Sequence, residues 1–192
     1  NAAFMWSVPL VIILACMTRY MDNLPLAKPN PKALAQIFSN KHTWAMTLLY
    51  TCAFGAFSGY AAALGLLVKT EFPEIPFAHI AFVGPLVAAS LRPVGGWLAD
   101  KINSGTKITF IGLIGLCITT VLIAVGVDMH HFDFFFGMTV LMFVSCGFVT
   151  GSTFRMIPHI FTDGLQSSLI AGFVAAVAAY GAFITPKIFG YV

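Results

Sequence analysis

Six long apolar stretches alternate with short polar breaks along this chain, at about residues 3–18, 44–68, 78–98, 108–127, 132–154 and 168–184. About 20 apolar residues at roughly 1.5 Å rise cross the ~30 Å hydrocarbon core of a bilayer, so each stretch predicts a transmembrane helix, the first of them short. Backbone groups in lipid must be satisfied within the segment, which makes the expected fold all-α: a polytopic transmembrane helical bundle of about six spans. Between the first two stretches, residues 19–43 are polar and carry Pro25, Pro29 and Pro31, which break any helix there. Within that link, residues 31–38 predict a short helix lying at the membrane surface.

Arg92 interrupts the third stretch two thirds of the way along it. An arginine inside a span costs about 3 kcal/mol on insertion scales and normally faces a protein or water-filled interior with a partner. A planar, permanently charged guanidinium presenting parallel N–H donors suits a small oxyanion, and lysine would be a poorer substitute.

Composition agrees with a membrane protein. Of the 192 residues, 59% are hydrophobic and 9% charged, against about 25% charged in a soluble domain. Mean hydropathy is +0.91. The net charge of +3 is small and dispersed, with no basic run or aromatic-interleaved patch, so nucleic acid is excluded as a partner. Lipid is the expected surroundings. Cys16, Cys52, Cys117 and Cys146 lie in apolar runs and never at C-x-x-C spacing, which indicates buried thiols and neither a metal site nor a redox pair. No nucleophile, base or ligand set converges within the spans, so neither enzyme chemistry nor a cofactor is expected.

Orientation follows from the basic residues flanking the spans. With the first link cytoplasmic, that side holds Arg19, Lys28, Lys32, Lys41, Lys101, Lys107 and Arg155, and the other only Lys69 and Lys187. His79, His130 and His131 fall toward the outer face, and Arg155 and His159 at the cytoplasmic end of the fifth span, where a terminal arginine usually follows the positive-inside bias. The chain opens at Asn1 without a methionine, and its first run lacks the basic flank and small-residue cleavage site of a signal peptide. It reads as a piece of something longer.

Two further patterns stand out. Tyr50 and Phe54, four residues apart, share one face of the second span, which by itself reads as core packing. The sixth span is built of small residues, among them Gly172, Ala175, Ala178, Ala179 and Gly181. Such a stripe serves close helix packing or leaves room for a ligand against the thin backbone.

After Arg92 the chain reads Gly95, Gly96, Trp97, Leu98, Ala99, Asp100, Lys101, then Gly105, Thr106, Lys107. This resembles the G-x-L-A-D-R/K loop motif of the major facilitator superfamily. Gly96, Asp100, Lys101 and Lys107 then read either as a charged latch, with Asp100 pairing with bases or a helix N-terminus in one conformation and releasing them in another, or as a purely structural pairing. Residues 172–190 (GFVAAVAAYGAFITPKIFG) resemble the glycine- and alanine-rich signature of the nitrate/nitrite porters, a branch of that superfamily. Residues 48–59, the Arg92 region and residues 151–157 (GSTFRMI) are similar to the same family, in the right order.

The resemblance implies the sixth to eleventh helices of a twelve-helix porter. Residues 1–43 would be the end of a transmembrane helix with the interdomain link, and 44–192 five spans of the second half, whose last helix and whose partner, the first half, lie outside the sequence. It implies a nitrate or nitrite anion held between Arg92 and an arginine of the first half, with Tyr50 and Phe54 beside it and Gly172 and Ala175 on the small-residue helix. Two features depart from the family's pattern: residues 158–166 are shorter than its usual loop, and Ala175 stands where some relatives carry a hydroxyl. No Asp or Glu falls in the interior of any of the six spans, so a carboxylate proton relay is lacking from them, which weakly favours anion exchange over proton-coupled uptake. The expected function is secondary transport of nitrate and/or nitrite by alternating access, in a bacterial inner membrane. The alternatives are proton-coupled nitrate uptake, a facilitator for another anion, and a non-transporting membrane domain.

Overall fold

The computed structural model describes residues 2–21, 35, 37–76 and 80–189. Among these are six long helices: α1 (Ala2–Tyr20), α2 (Lys41–Glu71), α3 (Val83–Lys101), α4 (Gly105–Asp128), α5 (Phe132–Ile160) and α6 (Gly164–Phe189). By length and composition α2, α4, α5 and α6 can each cross a membrane. The all-α architecture follows from the sequence as expected. The chain divides into two compact units, Asn1–Asn30 and Pro31–Val192.

In the first unit α1 is a single apolar helix that accommodates Pro9 and closes on Arg19 in its last turn. Most of the proline-bearing link lies outside the described residues, as does His79. Of the expected surface helix at residues 31–38, residues 35, 37 and 38 are described and are helical.

In the second unit, local chemistry sets the helix ends. The Asn40 side chain accepts a hydrogen bond from the His42 N–H at 2.9 Å and caps α2. The Ser104 side chain accepts from the Lys107 N–H at 3.4 Å and caps α4. The turn joining α3 to α4 passes through Asn103 at φ 54°, a left-handed conformation that asparagine tolerates better than most residues. There the Ser104 N–H reaches back to the Ala99 carbonyl at 3.1 Å. Helix α3 starts at Val83, five residues later than the apolar stretch beginning at residue 78 suggests. Immediately upstream, residues 80–82 form a turn closed by the Val83 N–H on the Ile80 carbonyl at 3.0 Å.

Helix α5 is the spine of the unit, packing on α3, α4 and α2, while α2 and α6 form a second close pair. Small residues permit these approaches. A Cβ added at Gly95 would lie 2.9 Å from the Phe148 backbone, and one at Gly147 only 2.7 Å from the Ala88 carbonyl. Between α2 and α6, a Cβ on Gly181 would meet the Thr51 side chain at 2.7 Å. The buried hydroxyls of α5 are satisfied within their own helix. Thr139, Thr150 and Thr153 donate to carbonyls four residues back at 2.7–2.8 Å, the arrangement lipid surroundings require. One hydroxyl pair crosses helices, Thr109 to Ser152 at 2.8 Å.

Candidate functional site: an arginine on an aromatic column

Arg92 sits nine residues from each end of α3, about 14 Å along the axis from either, so its place is the middle of the helix. The close α3–α5 crossing fixes its backbone: a Cβ on Gly151 would run into the Arg92 carbonyl. Its half-buried side chain lies over two rings of α2, with Cζ 5.0 Å from the Phe57 centroid and 5.6 Å from that of Phe54. Its Nε is buried and has no hydrogen-bond partner. Cation–π attraction to each ring is worth about 0.5–2 kcal/mol, yet it leaves the N–H donors in the guanidinium plane uncommitted.

The rings form a column. Tyr50 and Phe54 stack with centroids 5.6 Å apart and planes 9° from parallel. Phe154 of α5 meets Tyr50 edge-on at 4.6 Å, and Phe57 meets Phe143 edge-on at 5.9 Å. Tyr50 is buried with Met46, Ile157, Ile170, Val174 and Ala178, and Phe54 packs against the same cluster. Three of the expected residues, Arg92, Tyr50 and Phe54, are thus brought together by α2 and α3. Phe57 joins them, a residue that the spacing 50, 54, 57 along one helical face signals. Gly172 and Ala175 lie apart, on the exposed side of α6. The side facing α2 carries Ile170, Val174 and Ala178, while open space surrounds Gly172.

At the C-terminal end of α3, Arg155 Nε donates to the Asp100 carboxylate at 2.6 and 2.8 Å, tying α3 to α5. His159 Nε2 lies 3.8 Å from the same carboxylate. The hydrogen bond from Arg155 holds the Asp100 carboxyl below its ordinary pKa. Gly96 faces the Gly151 carbonyl and the Arg155 stem, letting the two helices meet beside this pair. Lys101 instead lies over the Trp97 ring, Nζ 5.0 Å from its centroid, and Lys107 is exposed on the first turn of α4. Asp100 therefore takes its partner from α5 and not from the lysines close to it in sequence.

No protein-family model matches the chain. Similarity to individual proteins is extensive. The chain is 33% identical to the probable nitrate/nitrite antiporter NarK2 of Thermus thermophilus, over 100% of its own length and 44% of the relative's. It is 29% identical to the nitrate/nitrite transporter NarU of Escherichia coli, over 99% of this chain and 46% of the relative. Similarity to the nitrite extrusion protein of Bacillus subtilis is 27% over 79% of the chain. The chain is related to the nitrate/nitrite porters over its whole length. It spans a little under half the length of the first two of these porters. The arginine, the aromatic column and the Asp100–Arg155 pair all fall inside the porter-like region.

Proposed function

We propose that this chain is part of a secondary transporter that exchanges nitrate and nitrite by alternating access, and that Arg92 is the anion's ligand in this half. The observation that carries the reading is the Arg92 guanidinium, placed at the middle of α3 with a buried, unpartnered Nε and backed by the faces of Phe54 and Phe57. A cation kept in lipid surroundings without a carboxylate is stabilised when a small anion binds it. The trigonal oxyanions nitrate and nitrite suit its flat fork of donors. Tyr50 and Phe54 form the wall beside the anion, while Gly172 and Ala175, on the exposed side of α6, keep that helix thin for a neighbour outside this sequence.

A second arginine, from helices outside this sequence, completes the clamp. Two facing arginines repel when empty, and a monoanion offsets that repulsion and allows the halves to close. The Asp100–Arg155 pair, with Gly96, Lys101 and Lys107 around it, is the latch that steadies one conformation at the cytoplasmic, inner-membrane side. Exchange is favoured over proton coupling because the described spans place no Asp or Glu near Arg92. Support also comes from the relative named an antiporter.

The test is flux into liposomes holding the protein in its natural full length and loaded with nitrite. External labelled nitrate should enter in proportion to internal nitrite and independently of a pH gradient. Entry driven by a pH gradient into nitrite-free liposomes would replace exchange with proton-coupled uptake, and failure to move either anion would sink the reading.

A further inference from the structure

Away from the arginine, α3, α4 and α5 enclose a groove of about 520 Å³ whose lining is almost entirely apolar. Its walls include Ile102, Ile111, Ile118 and Leu141, all exposed, and Gly112 and Gly115 keep its floor low. Along α4 the lining runs from Ile108 to Thr119, eleven residues or about 16 Å, half of the ~30 Å hydrocarbon core. The groove is therefore one leaflet deep.

Its polar end is defined by charge. Lys101 lies three residues beyond the groove-lining Leu98 on α3, and Lys107 four before the groove-lining Ile111 on α4, so each shares its helix face with a wall of the groove. Asp100, the nearest acid, is engaged by Arg155, and among the described residues neither lysine is in an ion pair. Lys101 rests on Trp97, an aromatic of the kind that settles at headgroup depth.

We infer that this groove is a binding site for one anionic phospholipid of the cytoplasmic leaflet, its acyl chain between α3, α4 and α5 and its phosphate between Lys101 and Lys107. The two ammonium groups offset the phosphate charge, and the leaflet-deep trough receives a chain that would otherwise bridge a gap between helices. This role is separate from the anion site at Arg92. The lysines close to Asp100 in sequence thereby acquire a partner that the latch does not give them.

The experiment is native mass spectrometry of the full-length protein in mild detergent, titrated with phosphatidylglycerol or with phosphatidylcholine of identical chains. The wild type should retain one phosphatidylglycerol with roughly thirtyfold preference over phosphatidylcholine, the product of two lysine contributions. K101Q/K107Q should erase the preference while still binding either lipid weakly. Ile118→Trp, which fills the groove from an exposed wall, should reduce retention of both. Equal retention of the two lipids by the wild type, an undiminished preference in K101Q/K107Q, or full retention by Ile118→Trp would each overturn the assignment.

Discussion

Arg155 and Asp100, 55 residues apart in sequence, meet at 2.6 Å and join the ends of α3 and α5. Both side chains are more than 40% exposed, so solvent screens the pair and it adds little to folding. On the proposed reading its value lies in the conformation it selects. Asp100→Asn should leave the melting temperature nearly unchanged while slowing nitrate exchange several-fold. The exchanged pair D100R/R155D should recover part of the rate, and a thermal melt beside a flux assay checks both outcomes.

The same pair gives a pH expectation. Arg155 depresses the Asp100 pKa, so the contribution of the pair is fully present above the ordinary aspartate value of 3.8 and is lost as pH falls through the lower value of the folded protein. Across pH 5–8 the latch should therefore not open through Asp100. Isotope-edited infrared titration should find its carboxylate still ionised at pH 3.8, and protonated at higher pH in Arg155→Ala.

The Arg92 backbone is held by contact with Gly151. Gly151→Ala should destabilise the α3–α5 pair by about 1–3 kcal/mol, the usual cost of overpacking. Gly137→Ala, on the same helix where an added Cβ meets nothing within 4 Å, should not. Comparative unfolding of the two variants in detergent distinguishes a packing role for Gly151 from general intolerance of α5 to side chains.

Phe57 supports the guanidinium from the ring face at 5.0 Å. Phe57→Leu keeps an apolar side chain but removes the quadrupole, and should weaken apparent nitrate affinity about fivefold, corresponding to ~1 kcal/mol. Steady-state exchange at varied nitrate reads this as a raised KM with a smaller change in maximal rate.

Much of this was legible in the sequence, and the exceptions have physical causes. Hydrophobic run lengths located every long helix because lipid forces whole-segment periodicity, and the isolation of Arg92 among apolar neighbours marked it out. Boundaries shifted where local chemistry overrode hydropathy. A turn at residues 80–82 precedes the start of α3, and α5 continues past residue 154 through Arg155 and His159 to Ile160, since charged residues can extend a helix beyond the apolar core. The partner of Asp100 depends on how α3 crosses α5, which a one-dimensional pattern does not encode. Lys101 and Lys107 were near in sequence, but Arg155 is near in space. Phe57 completes a 50, 54, 57 stripe, yet a third aromatic residue on an apolar helix looks like any other core residue in the sequence, and only the fold places the arginine above it.

The central claim is that the Arg92 guanidinium meets the transported anion, and nitrate counterflow by Arg92→Lys beside the wild type tests it most directly. Lysine keeps the charge but loses the flat fork of donors. Counterflow in the full-length protein should fall by at least about tenfold, the loss of one charge-assisted hydrogen bond, with the fold intact by thermal melt. Nitrate movement by Arg92→Lys at the wild-type rate would contradict the account.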